Sequence, residues 1–308
     1  MARQGTGTAS YGAQVLQDIY LDTFTDALVD KVGVIHPLGR RGNLPEKHGR
    51  NVRFQFYSTP AAITTTVAAE GDDPADVNFT TTTAEANLEE FGAVTPYSRL
   101  LAKTGMNGTI EEIVKLLGYQ AGISVEVRTI SVVDGTTVSV NAGVAMTADA
   151  MKEGMRTLDD AGAVTPPSVP NNMMCFIGSA EAIYDMFGEG TPTYMQARSR
   201  DVEGTFRTPL NNTVGDVYGA AIKMSQSIQR DTGTAPDDDM NLLIAADAFG
   251  VSDLDFDAAQ PRVTVTAPEN SPHVPARNRG TAAWLLYYIS IIIDNNRVVK
   301  ILSDATGT

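Results

Sequence analysis

The sequence predicts an α+β fold carrying one long extended arm, and three stretches carry that expectation. Residues 59–83 hold eight threonines but only Ile63, Val67, Val77 and Phe79 as sizeable apolar groups, too few to build a core. Thr109-Ile110-Glu111-Glu112 opens a long amphipathic helix. From Met146 to Pro268, helical stripes alternate with short apolar runs, the mark of a compact layered unit distinct from the extended first third.

Taken in order, residues 1–10 are rich in Gly, Thr and Ser and read as a flexible arm. Val15, Leu16, Ile19, Leu28 and Val29 approximate helical spacing, which predicts a helix from Tyr11 to about Lys31. After turn-rich residues 39–49, Val52, Phe54 and Phe56 alternate with Arg53, Gln55 and Tyr57, the period of a strand with one buried face. Thr65, Thr66 and Val67 on one side and residues 77–83 on the other favour strands, and they flank the turn signal Glu70-Gly71-Asp72-Asp73-Pro74. A two-stranded arm with an acidic tip follows. Such a hairpin is marginal alone in water, so it must lie on another surface, in this chain or in a neighbour.

Thr109 and Glu112 form a capping box, and Ile110, Ile113, Val114, Leu117 and Ala121 share one face of a helix expected to reach about Val127. Residues 131–142 read as a hairpin turning at Asp134-Gly135. Thr147 and Ser179 each cap a helix, and 173–177 and 242–246 read as buried strands, with the proline-bearing 163–172 a linker. Residues 284–293 and 297–302 read as two strands around Asp294-Asn295-Asn296, sitting within a larger sheet.

Composition narrows the function. The chain has 308 residues, 43% hydrophobic, enough for a real core, and a formal net charge of −14. A surface of that sign gains nothing from counterion release on a phosphate backbone, which argues against tight direct DNA binding. An acidic wall suits a container for polyanions, although solubility alone also accounts for the charge. Cys175 is the sole cysteine, so no intrachain disulfide forms, and its apolar surroundings read as those of a buried structural thiol. Neither a signal peptide nor an apolar run of membrane-spanning length occurs, which makes the cytosol the expected place of synthesis and no membrane an expected partner.

No catalytic, cofactor or metal motif emerges, so the expectation is a protein that is not an enzyme. His36, His48 and His273 lack metal-site spacing and read as surface or loop residues. Gly178-Ser179-Ala180 is not a nucleophile elbow, and capping explains the serine. Glu111 and Glu112, like Asp159 and Asp160, are helix neighbours whose side chains diverge. The segment 231–257 holds eight aspartates and no Lys or Arg. Its spacing matches no calcium loop, and whether it binds cations stays open.

The order of parts resembles that of the major capsid protein of tailed bacteriophages. Pro45, Gly49, Val52 and Phe54 enter the arm, Glu70-Gly71 with Pro74 form its tip, and Phe91-Gly92 and Ser98 leave it. Val214-Gly215-Asp216-Val217-Tyr218-Gly219 occupies the middle unit, and the likeness spans residues 10–305. The resemblance implies a tailed-phage capsid fold in four parts: an N-terminal arm and helix (1–49), an extension loop (50–97), a peripheral domain with a spine helix (98–145 and 269–308) and an axial domain (146–268). It further implies an icosahedral shell of hexamers and pentamers enclosing double-stranded DNA in the virion, with portal and decoration proteins as partners. Two features depart from the family pattern. No lysine lies between Lys47 and Lys103, so no extension-loop crosslink is expected, and no long charged helical segment precedes the first helix, so a separate scaffolding protein is expected.

The expected interface pairs the acidic tip, Glu70, Gly71, Asp72, Asp73 and Asp76, with basic residues at the root of another subunit's arm, among Arg40, Arg41, Lys47, Arg50 and Arg53. Opposite charges there set register and encounter more than affinity. Two solvated patches are the bland reading. The competing functions are the shell of a bacterial encapsulating nanocompartment, a tail or surface-lattice protein, and a soluble enzyme.

Overall fold

The computed structural model describes residues 20–28, 33–45, 49–57, 76, 79–104, 109–143, 145–169, 173–186, 213–217, 219–228, 230–231, 238–255, 262–267 and 278–304. Two mixed sheets and the helices on them account for most of these. The first sheet is organised on the long strand β13 (Arg279–Ile292), which pairs with β4 (Glu89–Ser98), β11 (Phe249–Asp255) and β12 (Arg262–Thr266). β1 (Arg40–Pro45) adds to β11 in parallel.

Residues 20–28 form a helix (α1) that packs with α3 (Thr109–Val133) on one face of this sheet. The contact between them is close at Gly118, where a Cβ would stand 2.6 Å from the Phe24 carbonyl oxygen. Phe24, Val114, Leu117 and Ala121 bury against Ala282 and Trp284 of β13. A short helix, α2 (Arg99–Thr104), follows β4, and the Ser98 hydroxyl accepts from the Leu101 N–H at its start.

On the opposite face lies the root of the arm. β2 (Asn51–Tyr57) pairs antiparallel with β3 (Thr81–Asn87), Asn51 opposite Asn87 and Tyr57 opposite Thr81. The expected strand at 52–57 is present, and its partner reaches further than expected, to Asn87. Val52, Phe54 and Leu88 bury on Ile289 and Ile293, so a hairpin that would be marginal alone rests here on its own chain.

The second sheet runs β5-β14-β10-β6-β8-β7, with β9 (Arg230–Asp231) on β10. Its strands are β5 (Ser139–Asn141), β6 (Met174–Gly178), β7 (Thr213–Val217), β8 (Ala220–Met224), β10 (Asp238–Ile244) and β14 (Val298–Asp304). α4 (Ala148–Asp160) and α5 (Ala180–Met186) cover one face, burying Met151, Leu158, Ile183 and Met186 against Phe176, Ile222, Leu243 and Ile301. Both expected caps form: the Thr147 side chain accepts from the Ala150 N–H at 3.2 Å, and the Ser179 hydroxyl from the Ala182 N–H at 3.1 Å. The other face meets the first sheet in one shared core, where Val125, Ile130 and Val133 of α3, Ile177, Leu242, Phe249 and Tyr288 come together.

Two expectations, the hairpin at 131–142 and a superficial His36, are corrected. Residues 131–142 are not a hairpin: α3 continues to Val133, Asp134-Gly135 closes the helix, and only Ser139–Asn141 is a strand, parallel to β14. β-propensity differences span about 1 kcal/mol, while burying Ile130 and Val133 in the shared core is worth roughly 1.5–3 kcal/mol each, so packing decides the matter. The terminal strands flank the Asp294–Asn296 turn and sit within larger sheets as expected, β13 in the first and β14 in the second. His36 is buried rather than superficial, its ring centroid 5.7 Å from that of Tyr288. His48 and His273 lie outside the described residues.

Candidate assembly interface

Phe54 seats the arm. Glycines occupy the positions beneath its ring, and a Cβ at Gly250 or Gly42 would fall 2.6 or 2.8 Å from ring atoms. Both belong to the β1–β11 ladder, where Gly42 stands opposite Ser252 and Gly250 opposite Arg40, and the Ser252 hydroxyl donates to the Gly42 carbonyl at 2.9 Å. An aromatic ring thus rests on bare backbone, which fixes the height and direction of β2.

The basic residues expected at the root are dispersed. Arg53 pairs with Glu85 across the hairpin, as their register dictates. Arg40 donates to the Gln55 carbonyl at 3.3 Å and stands 4.0 Å from the Asp247 carboxylate. Arg41 and Arg50 are exposed, and among the described residues no ion pair engages them. Asp76 is exposed as well. Glu70, Gly71, Asp72, Asp73 and Lys47 lie outside the described residues, so the tip and root are not brought together within this chain's described part.

Apolar exposure is what the sequence reading missed. Tyr57 and Phe79, at the outer end of the hairpin, are 66% and 63% exposed. Leu116, Ile123 and Val127 are exposed along α3, on the side away from the sheet. Their spacing, i, i+7 and i+11, puts them in one stripe opposite the buried positions 114, 117, 121 and 125. That signal was present in the sequence: an amphipathic helix with a second apolar face is incompletely covered by its own chain.

Buried polar groups serve structure. Glu126 of α3 accepts from the Ser225 hydroxyl at 2.6 Å, and its carboxylate occupies the space a Cβ would need at Gly33, whose φ is 75°. Lys300 donates to the Asp134 carbonyl at 3.1 Å and ties β14 to the end of α3. Ser179 donates to Asp239 while capping α5. Burial pushes the Cys175 thiol up to about 12, and the nearby Lys223 only partly offsets it. Among the described residues no three His, Cys, Asp or Glu side chains converge to hold a metal ion, and no helix is long and apolar enough to cross a membrane.

Among the described residues, the arm's root is seated on the first sheet, and large apolar groups are exposed on α3, on β4 and at Tyr57 and Phe79 of the arm. Solved structures share this architecture. The capsid of Ralstonia phage GP4 matches with a TM-score of 0.68 at 12% identity, over 88% of each chain. The capsid of cyanophage P-SCSP1u matches at 0.62 and 11% identity, again over 88% of each. The acidic stable capsid of Helicobacter pylori bacteriophage KHP30 matches at 0.64 and 10% identity, over 87% of each. The chain therefore has the tailed-phage capsid fold, the mixed helix-and-sheet architecture expected. No protein-family model matches the sequence, and no curated protein matches it.

Proposed function

We propose that this chain is the structural subunit of an icosahedral phage capsid, assembling with copies of itself as hexamers and pentamers around double-stranded DNA. The single observation that carries this reading is the arm. Its root is anchored on the chain's own sheet through Phe54, while residues 59–83 have too few apolar groups to form a core of their own. Obligate interfaces bury roughly 2,000 Å² or more and are fairly apolar, and the exposed groups on α3, β4 and the arm supply material for that. A net charge of −14 supports enclosure of DNA without gripping it.

In this reading the segments act as an N-terminal arm and helix, an extension loop, a peripheral domain and an axial domain. Sheet membership crosses those segments, since β11 and β12 of 146–268 join the first sheet while β5 and β14 of 98–145 and 269–308 join the second, and this interlock goes with one shared core. The acidic tip meets basic groups of a neighbouring root; Arg40 and Arg53 already have partners within the chain, which favours Arg41 and Arg50 as counterparts. The shell forms without a lysine crosslink, with a separate scaffolding protein, and with portal and decoration proteins completing a virion made in the host cytoplasm. The subunit performs no catalysis.

Electron microscopy of the purified protein tests this. Closed icosahedral particles whose contents are nuclease-protected DNA are expected. Tubes or sheets would overturn it in favour of a tail or lattice role, and particles holding a peptide-tagged protein cargo in favour of a nanocompartment.

A further inference from the structure

The chain passes between the two sheets at two neighbouring turns. Residues 245–248 carry it from β10 to β11, and residues 293–297 from β13 to β14. Hydrogen bonds join the turns: the Ile293 and Asp294 N–H groups donate to the Ala248 carbonyl at 2.9 and 3.2 Å, and the Ala245 N–H to the Arg297 carbonyl at 3.0 Å. At their junction stands Asp247, whose φ of 54° makes it the non-glycine residue with positive φ among the described residues. Aspartate tolerates that conformation better than most side chains, and it persists where the surroundings impose it. Here it holds the carboxylate between two guanidinium groups, Arg297 at 3.8 Å and Arg40 at 4.0 Å.

Above this junction the arm's root loses its support. Val52 and Phe54 are buried on the first sheet, but the next residues of β2 stand over a cleft of about 250 Å³ lined by Arg40, Gln55, Phe56, Tyr57, Asp247 and Ile293 among others. A strand seated at Phe54 can tilt about that point. Arg40 spans the cleft, since its guanidinium donates to the Gln55 carbonyl at 3.3 Å and faces Asp247 on the other side. Arg297 is braced from behind: it donates to the Ala246 carbonyl at 3.2 Å and stands 3.3 Å from the Asp294 carboxylate.

We infer that Arg40, Asp247 and Arg297 form an ionic strut that sets the inclination of the arm relative to the two sheets, and that charge screening releases it at Arg40. The inference goes beyond the shell reading, because it describes one chain in solution; within a shell the same strut decides the angle at which each subunit presents its arm. The side chains of Arg40 and Asp247 are 42% and 49% exposed. Ion pairs that open to solvent add little to global stability and weaken with salt. That combination makes a latch: opening it leaves the core intact and frees the arm alone.

Spin labels read the inclination, because Cys175 is buried and silent. Thr81→Cys at the outer end of the hairpin and Ser131→Cys on α3, both exposed, are labelled together in the purified chain. The sample is diluted with unlabelled chain, so that pulsed electron resonance measures distances within one molecule. A narrow distribution is expected at low salt and a broader one at about 1 M salt, where the screening length falls to about 3 Å. Asp247→Asn keeps a side chain that tolerates positive φ and removes its charge. It is expected to show the broad distribution already at low salt, to broaden no further with salt, and to leave thermal unfolding unchanged. Arg40→Ala is expected to behave in the same way, whereas Arg53→Ala, which breaks the pair inside the hairpin, keeps the narrow distribution. A distribution that responds neither to salt nor to the two variants overturns the strut, as does a large fall in melting temperature in both, which assigns the cluster to the core. Shell formation does not enter the measurement, so a chain that shows the latch and forms no shells overturns the shell reading alone.

Discussion

Phe54 over Gly42 and Gly250 is the contact on which the arm's direction depends, and it is sensitive at the level of one methyl group. Gly250→Ala puts a Cβ 2.6 Å from the ring, so either the ring or the ladder must shift. Overpacking of this kind costs about 1–3 kcal/mol, measurable by denaturant unfolding. A second residue-level test concerns Asp304, which stands opposite Asp238 across β14 and β10. Its carboxyl is held above the ordinary range, first by loss of hydration and then by the hydrogen bond to and charge of Asp238. With the folded state binding the proton more tightly than the unfolded chain, stability gained at low pH is lost as pH rises through the raised value. Asp304→Asn is therefore expected to raise the melting temperature at about pH 7 and to change it least at about pH 4, near the ordinary carboxylate value. Equal effects at both pH values would contradict this.

At the scale of elements, the sequence made legible what local chemistry controls. Thr109, Thr147 and Ser179 mark helix starts because a hydroxyl at a helix start can accept an otherwise unpaired backbone N–H. The strand at 52–57 shows in its alternation. What stayed hidden depends on partners distant in sequence. Val132 and Val133 look like strand residues until the shared core that buries Val133 exists. Val132→Ala is accordingly expected to change stability by less than about 0.5 kcal/mol, as in a helix. Val133→Ala should cost about 1–3 kcal/mol through lost burial. Similar large losses at both positions would restore the hairpin reading. β4 was not anticipated as a ten-residue strand, since its pairing with β13 spans a sequence separation no local pattern records. Of the candidate interface, the arm's need for support was legible in its threonines, whereas the seat of Phe54 on Gly42 and Gly250 joins positions no local pattern records.

The whole molecule combines a closed core with unfinished edges. Two sheets interlock through β11 and β14, α3 runs from one to the other, and Glu126 joins it to Ser225 within the boundary. Charge belongs to this scale as well: reversing Glu70, Asp72, Asp73 and Asp76 to lysine is expected to stop assembly while circular dichroism reports an unchanged fold, and normal shells from that variant would remove the tip from the interface. The most direct test of the central claim remains electron microscopy of the purified chain, with the scaffolding protein supplied from its own source. Closed icosahedral particles are the predicted result; a monodisperse monomer with no rings or shells at high concentration would contradict it.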